Sequence, residues 1–321
     1  MTMRISVVLC TRNGAPYLQR QLRSLLDQRR LPDEVIVRDD ASCDQTANII
    51  KAFANVAPFN VRVTFNSQPL GTTGNFQAAI ADATGEIILP CDQDDVWYPE
   101  KLAVFEAAMS AGGETDLGFC DADLVDEQLR PIGHTLWESI RFTPRQRMLV
   151  TRGQLWQILT RFNVVSGAAM AFSARRRDLI LPIPDGWMYD GWIALLLSAA
   201  GKCRAIPQPL AAYRQHPDQQ IGAGPANVTG RISVARRMDR DYFLRLSANF
   251  TAAADRLRQH NVSGPAVERF AQKADHCRRR AENHFTGICS ELFTGRYFSC
   301  SLGWQSIAQD LVLRRHRTLP A

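Results

Sequence analysis

The chain has 321 residues, 45% apolar and 22% charged, with a formal net charge of +6, so a normal globular core fits and a disordered class does not. No segment approaches the roughly 18–20 uninterrupted apolar residues of a membrane-crossing helix, and Met1 to Cys10 reads as a strand rather than a signal peptide. Eight scattered cysteines, without a CxxC pair or a cysteine–histidine cluster, argue against a disulfide framework or a structural zinc and for a reduced cytosol.

Strands and helices alternate from the start. Ile5 to Cys10 is a continuous apolar run, as a strand buried on both faces requires. Asn13-Gly14 turns the chain, and Tyr17, Leu18, Leu22, Leu25 and Leu26 recur at helical spacing. Glu34 to Val37 is a second strand, ending on Asp39-Asp40, and Ser42 with Gln45 forms a capping-box pattern for a helix reaching Val56. Val61 to Phe65 is a third strand, Gly74 to Ala83 a helix, and Glu86 to Leu89 a fourth strand. A helix over Pro99 to Met109 and a fifth strand over Leu117 to Cys120 follow. Repeated βαβ units predict a mainly parallel sheet flanked by helices.

Between the fourth strand and its helix lies Asp92-Gln93-Asp94-Asp95. Carboxylates this close repel, and burying them is costly unless something positive compensates. A divalent cation with a phosphate-bearing ligand is one solution, since Mg²⁺ and Mn²⁺ prefer carboxylate oxygen. An acidic surface turn, with Asp95 capping the next helix, is the other. In open α/β sheets ligands bind beyond the carboxyl ends of strands, which gathers Thr11, Asp39 and Asp92 to Asp95 on one edge.

Residues 126–165 are rich in arginine. A small apolar segment containing Ser166-Gly167 follows, then Tyr189-Asp190-Gly191-Trp192 opening an apolar helix, then a strand-like run ending in Tyr213-Arg214-Gln215-His216. Gly222, Gly224 and Pro225 read as a linker. Beyond it Val234, Met238, Tyr242, Leu246, Phe250 and Leu257 form one helical stripe, and Val267, Phe270, Ala274, Cys277 and Ala281 another. Residues 226–321 carry 16 Lys and Arg against 8 Asp and Glu, a balance of +8 that leaves −2 for the rest. This basic, aromatic-rich tail suits an anionic membrane interface; packing on the main domain or on a second subunit, as in a homodimer, is the competing reading. No nucleic-acid-binding motif accompanies the charge.

Taken in order, Ile5 to Gly14, Val37 to Asp44, Asp92 to Trp97 and Tyr213 to His216 resemble the family 2 glycosyltransferases of the GT-A fold, in the rhamnosyltransferase-like subgroup of bacterial polysaccharide assembly. The resemblance runs from about residue 4 to residue 222. It implies a Rossmann-like GT-A domain over residues 1–222 and a variable helical extension over 226–321. It further implies inverting transfer from a UDP- or dTDP-sugar to a glycan or lipid-linked acceptor, in the cytoplasm or at the inner membrane face.

The implied donor contacts are Thr11, Arg12, Asp39, Asp40, Asp92, Gln93 and Arg214, with Asp39 taking a nucleobase N–H. Asp94, Asp92 and His216 would hold Mg²⁺ or Mn²⁺, and Asp190 would be the catalytic base. Ser166, Gly167, Tyr189 and Trp192 would meet the acceptor. A pyrophosphorylase or an aspartate phosphatase would need a glycine-rich basic loop or a nucleophilic Asp-x-Asp after the first strand, and Arg12-Asn13-Gly14 supplies neither. A non-catalytic nucleotide-sugar-binding module on the same fold is the alternative of another class.

Overall fold

The structure, a computed structural model, describes residues 2–111, 115–217, 238–282 and 285–318. It divides into two compact units: Met1–Gly153, Val164–Ile183 and Trp187–Gly224 in one, Gln154–Asn163, Pro184–Gly186 and Pro225–Ala321 in the other. The expected linker at Gly222 to Pro225 lies outside the described residues, as does Val234.

In the first unit β1 (Ile5–Thr11), β2 (Glu34–Asp39), β3 (Asn60–Phe65) and β4 (Ile87–Cys91) pair in parallel. Helices α1 (Ala15–Leu26), α2 (Thr46–Val56) and α3 (Gly71–Asp82) connect them. Every residue of β1 is buried, as its unbroken apolar run requires. The capping box at Ser42 and Gln45 does not form. Ser42 turns back to Asp39 and accepts from the Asn13 N–H, while Asp44 accepts the Thr46 N–H at 2.9 Å.

Beyond β4 the sheet is mixed. Next come β5 (Val96–Trp97), α4 (Lys101–Ser110), β6 (Leu117–Val125), β7 (Pro131–Thr135) and the short helices α5 (Leu136–Ser139), α6 (Pro144–Thr151) and α7 (Leu155–Leu159), the last of which belongs to the second unit. Then β8 (Met170–Ser173), α8 (Arg177–Ile180), α9 (Tyr189–Ala200) and β9 (Cys203–Arg214) complete the unit. The strand order is β3-β2-β1-β4-β8-β6-β9-β5, with β7 beside β6. β8 is antiparallel to β4 and to β6, whereas β6 and β9 are parallel. The α/β class with flanking helices is as expected, and the reversal at β8 decides where the site lies.

The second unit is helical. α10 (Arg240–Gln259) and α11 (Pro265–Glu282) pack as a pair, followed by α12 (Phe285–Phe293), α13 (Arg296–Cys300) and α14 (Trp304–Thr318). All five residues of the second predicted stripe are buried; in the first, Phe243 is buried instead of Tyr242. A polar network lies inside: His276 Nδ1 is 2.6 Å from Glu291 and Nε2 is 2.9 Å from Ser301 Oγ, and Arg280 meets Asp310 at 2.8 Å. Among the described residues no helix is long and apolar enough to cross a membrane.

Candidate active site

Because β1, β2 and β4 run parallel, Thr11, Asp39 and the 92–95 run leave the sheet at one edge. The antiparallel direction of β8 brings the turn before it, Gly167–Ala169, to that edge too. Arg214 ends β9 there, opposite Val125 at the end of β6.

On the β1–β2 side Asp39 is buried and accepts three hydrogen bonds. Thr11 Oγ1 and Ser42 Oγ donate at 2.7 and 2.6 Å, and the Ser42 N–H donates at 2.9 Å. A carboxylate offers about four acceptor positions, so capacity remains for an incoming N–H. Asp40 is committed elsewhere. It accepts from Asn66 Nδ2 at 2.9 Å and from the Leu70 and Gly71 N–H groups at 2.7 and 2.9 Å, which holds the start of α3. The half-exposed Arg12 guanidinium lies 3.9 Å from it. Asp40 thus braces the start of α3. The Gln93 amide accepts from the Arg12 N–H at 2.8 Å and donates to the Arg12 carbonyl at 3.0 Å, joining the loops after β4 and β1. Gly14 leaves the room this needs, since a Cβ there would lie 2.2 Å from Gln93 Oε1.

At the acidic run Asp94 Oδ2 meets His216 Nε2 at 2.9 Å. The His216 ring packs on Tyr17 with centroids 4.5 Å apart. Arg214, buried, donates from Nε to the Asp94 carbonyl at 2.6 Å, so it braces the loop from behind. Asp95 does not cap α4. It is buried, and its Oδ1 accepts the Arg214 N–H at 3.0 Å, tying the run to β9. Burial, then the charges of Asp94 and Asp92, push its pKa well up. Asp92 is pushed up to about 7 by burial and by Asp94 and Asp190, while Lys101 and a hydrogen bond from Tyr189 pull it down.

Asp190 sits in the first turn of α9, where free N–H groups favour a carboxylate. Its Oδ1 accepts the Gly191 N–H at 2.6 Å and its Oδ2 the Gly167 N–H at 3.2 Å. Burial raises its pKa against those two N–H groups. Ser166 stands half-buried at the head of the turn, its carbonyl accepting the Ala169 N–H at 3.0 Å. The two aromatic residues do not offer open faces. Trp192 is 0% exposed, and its indole N–H donates to the Ile180 carbonyl at 2.7 Å. Tyr189 is 3% exposed and stacks on Phe76 at 3.9 Å. Both are core residues, and only the Tyr189 hydroxyl, beside Asp92 and Gly167, belongs to the site.

Two further residues support this edge. Tyr17 falls in the apolar stripe of α1, yet its ring supports His216 and its hydroxyl donates to Glu127 at 3.0 Å. Lys101 is 0% exposed, donates to the Ala168 carbonyl at 2.5 Å and lies 3.9 Å from the Trp97 ring. The rule that clustered carboxylates need a counter-charge was the available signal for it.

Among the described residues no three His, Cys, Asp or Glu side chains form a metal site by themselves. The Asp94–His216 pair supplies one carboxylate and one imidazole, a donor set that Mn²⁺ or Mg²⁺ accepts when ligand phosphate oxygens and water provide the rest.

A family model described as glycosyl transferase family 2 matches residues 6–177. An uncharacterized glycosyltransferase of Nostoc sp. is 31% identical over 222 residues, 67% of this chain and 65% of that protein. The dTDP-rhamnosyl transferase RfbG of Shigella flexneri is 32% identical over 98 residues, 29% of this chain and 34% of that protein. The chain therefore spans less than two thirds of the length of either relative. Among solved structures, Staphylococcus aureus TarS 1–349 in complex with UDP-GlcNAc superposes with a TM-score of 0.58 at 17% identity, covering 88% of this chain and 73% of that one. The Pyrobaculum calidifontis mannosyltransferase PcManGT, in complex with GDP-Man and Mn²⁺, gives 0.51 at 17% identity, covering 99% of this chain and 89% of that one. At such identities the likeness is one of fold.

Proposed function

The chain belongs to glycosyl transferase family 2, and on that premise we propose that it moves a sugar, with inversion, from a nucleoside-diphosphate donor to a hydroxyl of a glycan or lipid-linked acceptor in surface polysaccharide synthesis. The observation that carries the reading is spatial: the Tyr189 hydroxyl, hydrogen-bonded to Asp92, packs against Gly167, whose N–H donates to Asp190, so segments distant in the chain meet at one point. A donor motif and a base must share one small volume for a single displacement.

Asp39 takes the ring N–H of uracil or thymine, and Thr11 fixes the orientation of its carboxylate. A UDP- or dTDP-sugar meets that requirement, and the likeness to RfbG makes a rhamnosyl donor the first to try. Asp94 and His216, with Asp92 beside them, would hold Mg²⁺ or Mn²⁺, which when bound neutralises the charge of the departing diphosphate. Asp190 accepts the acceptor's hydroxyl proton on a carboxylate oxygen. The Gly167 and Gly191 N–H groups keep that carboxylate aimed as the oxygen attacks the anomeric carbon. The bond to the diphosphate breaks through an oxocarbenium-like transition state. Gly167, without a side chain, leaves room for the Tyr189 hydroxyl, and the acceptor would meet the turn at the half-buried Ser166. Contact of the basic second unit with the inner membrane face, through exposed Phe293 and Trp304, belongs to the same reading.

A thermal-shift panel of nucleotide sugars with Mn²⁺, Mg²⁺ or EDTA tests this. A UDP- or dTDP-sugar should raise the melting temperature only with a cation. No response to any nucleotide sugar refutes the donor site, and a response indifferent to EDTA refutes the cation. Donor binding without transfer or slow donor hydrolysis would favour the non-catalytic module.

A further inference from the structure

Lys101 is the buried charge that the proposed chemistry leaves without a task. Withdrawing a lysine from water is costly, and an apolar residue of similar volume is often as stable or more so. A position that keeps the ammonium therefore calls for a use. Two contacts suggest one. The Nζ donates to the Ala168 carbonyl at 2.5 Å, inside the turn Gly167–Ala169. In the same turn the Gly167 N–H donates to Asp190 Oδ2 at 3.2 Å. The Trp97 ring lies 3.9 Å from the ammonium, and among the described residues the Ala168 carbonyl is its hydrogen-bond acceptor. A hydrogen bond from a cation is roughly twice as strong as a neutral one, which suits a staple on a glycine-containing turn.

We infer that Lys101 is a positioning residue: its ammonium fixes the Gly167–Ala169 turn, and the turn in turn holds the Asp190 carboxylate in place through the Gly167 N–H. The inference rests on Asp190 being the base, as proposed above. Lys101 touches neither donor nor acceptor in this scheme. Its charge also acts on Asp92 and Asp95, so a role confined to balancing the acidic run is the competing explanation.

Amide hydrogen exchange on the full-length chain separates the two. In K101M the peptide covering residues 166–170 should exchange about tenfold faster, because a local opening loses its tie, while peptides from β1 and β2 stay within about twofold of the parent. Affinity for UDP with Mn²⁺, measured by calorimetry, should stay within about threefold of the parent. Unchanged protection of the turn, faster exchange spread over the whole sheet, or a loss of UDP affinity in its place would each overturn the inference. Should K101M not fold, K101Q, which is too short to reach Ala168, is judged by the same outcomes. Once a donor is found, K101M should lower kcat by about 10²-fold with the donor KM nearly unchanged, the cost of an ångström's misplacement. Hydrogen exchange does not depend on transfer, so a wrong base assignment appears as an active Asp190→Asn enzyme with the turn still loosened by K101M.

Discussion

Gly167 occupies a point where no side chain fits, which makes Gly167→Ala a sharp test of the site. A Cβ built there would lie 1.9 Å from the Tyr189 hydroxyl oxygen and 2.5 Å from its Cζ. Ordinary contact begins at 3.4 Å, so the phenol must retreat by about 1.5 Å. Tyr189 cannot simply swing aside, because it is 3% exposed and stacked on Phe76 at 3.9 Å. Overpacking of this kind costs about 1–3 kcal/mol. For a domain of this size that corresponds to a fall of about 2–12 °C in Tm. The functional cost is larger in proportion. Moving the phenol takes its hydroxyl from Asp92, and moving the turn takes the Gly167 N–H from Asp190, so kcat should fall by about 10²-fold. Calorimetric melting and transfer at saturating donor measure both effects. Adding Tyr189→Phe removes the 1.9 Å clash but leaves the 2.5 Å one, so the double variant should recover only part of the lost Tm. A Gly167→Ala protein that melts within about 1 °C of the parent and transfers within about threefold refutes the packing argument and the placement of the turn.

Other outcomes follow from the same geometry. Asp190→Asn should keep donor binding and lose about 10²–10⁴-fold in transfer; near-normal transfer would assign the base elsewhere. Burial raises the Asp190 pKa above 3.8, and only the ionised form accepts a proton. Transfer should therefore decline as pH falls through that raised pKa, and an acid limb at the ordinary carboxylate value contradicts the assignment. Asp40→Ala removes the acceptor of the Leu70 and Gly71 N–H groups and of Asn66. Water reaches part of that loop, so the cost should be about 2–4 kcal/mol, read as a lower denaturation midpoint, with Asp40→Asn retaining some of it. In the second unit burial lowers the His276 pKa below 6.5, and Glu291 stays below 4.5 because His276 and its arginines outweigh the burial that would raise it. The unfolded histidine takes up its proton first as pH drops, and the folded glutamate loses its stabilising charge as pH falls through its depressed pKa. Both signs agree, so the unit should lose stability below about pH 6.5, and His276→Gln should flatten that dependence.

Much of the edge was legible because parallel strands and their order determine where their carboxyl ends emerge. Thr11, Asp39, Asp94 and His216 gather at one edge, with Asp94 and His216 2.9 Å apart. Which way a side chain turns at such an edge was not legible. Asp39 and Asp40 are neighbours, yet one serves the hydroxyls of Thr11 and Ser42 and the other the start of α3. Gln93 faces Arg12 because Gly14 leaves a gap, a contact across 81 residues that no local pattern encodes. Tyr189 and Trp192 flank Asp190 like a sugar platform in the sequence, but helical geometry sends their rings to the core, where Phe76 and the Ile180 carbonyl receive them. Lysine normally reads as surface, so Lys101 gave no local sign of its burial.

The placement of Gly167 follows from strand direction rather than from any motif. In a fully parallel sheet the turn that enters a strand lies at the edge opposite the carboxyl ends, so Ser166 and Gly167, which precede β8, would sit far from Asp92. β8 pairs antiparallel with β4, Ile87 facing Ser173 and Ile88 facing Phe172. Its leading turn is therefore delivered to the edge where β4 ends. There a backbone N–H can reach Asp190, and a buried ammonium can reach the neighbouring carbonyl. A chain with the same acidic run but a parallel β8 would keep Asp92 to Asp95 at this edge and lose the Gly167 contact to Asp190. The reversal after β4 thus lets segments so distant in sequence share one volume, and it is the feature that a reading of βαβ repeats alone passes over.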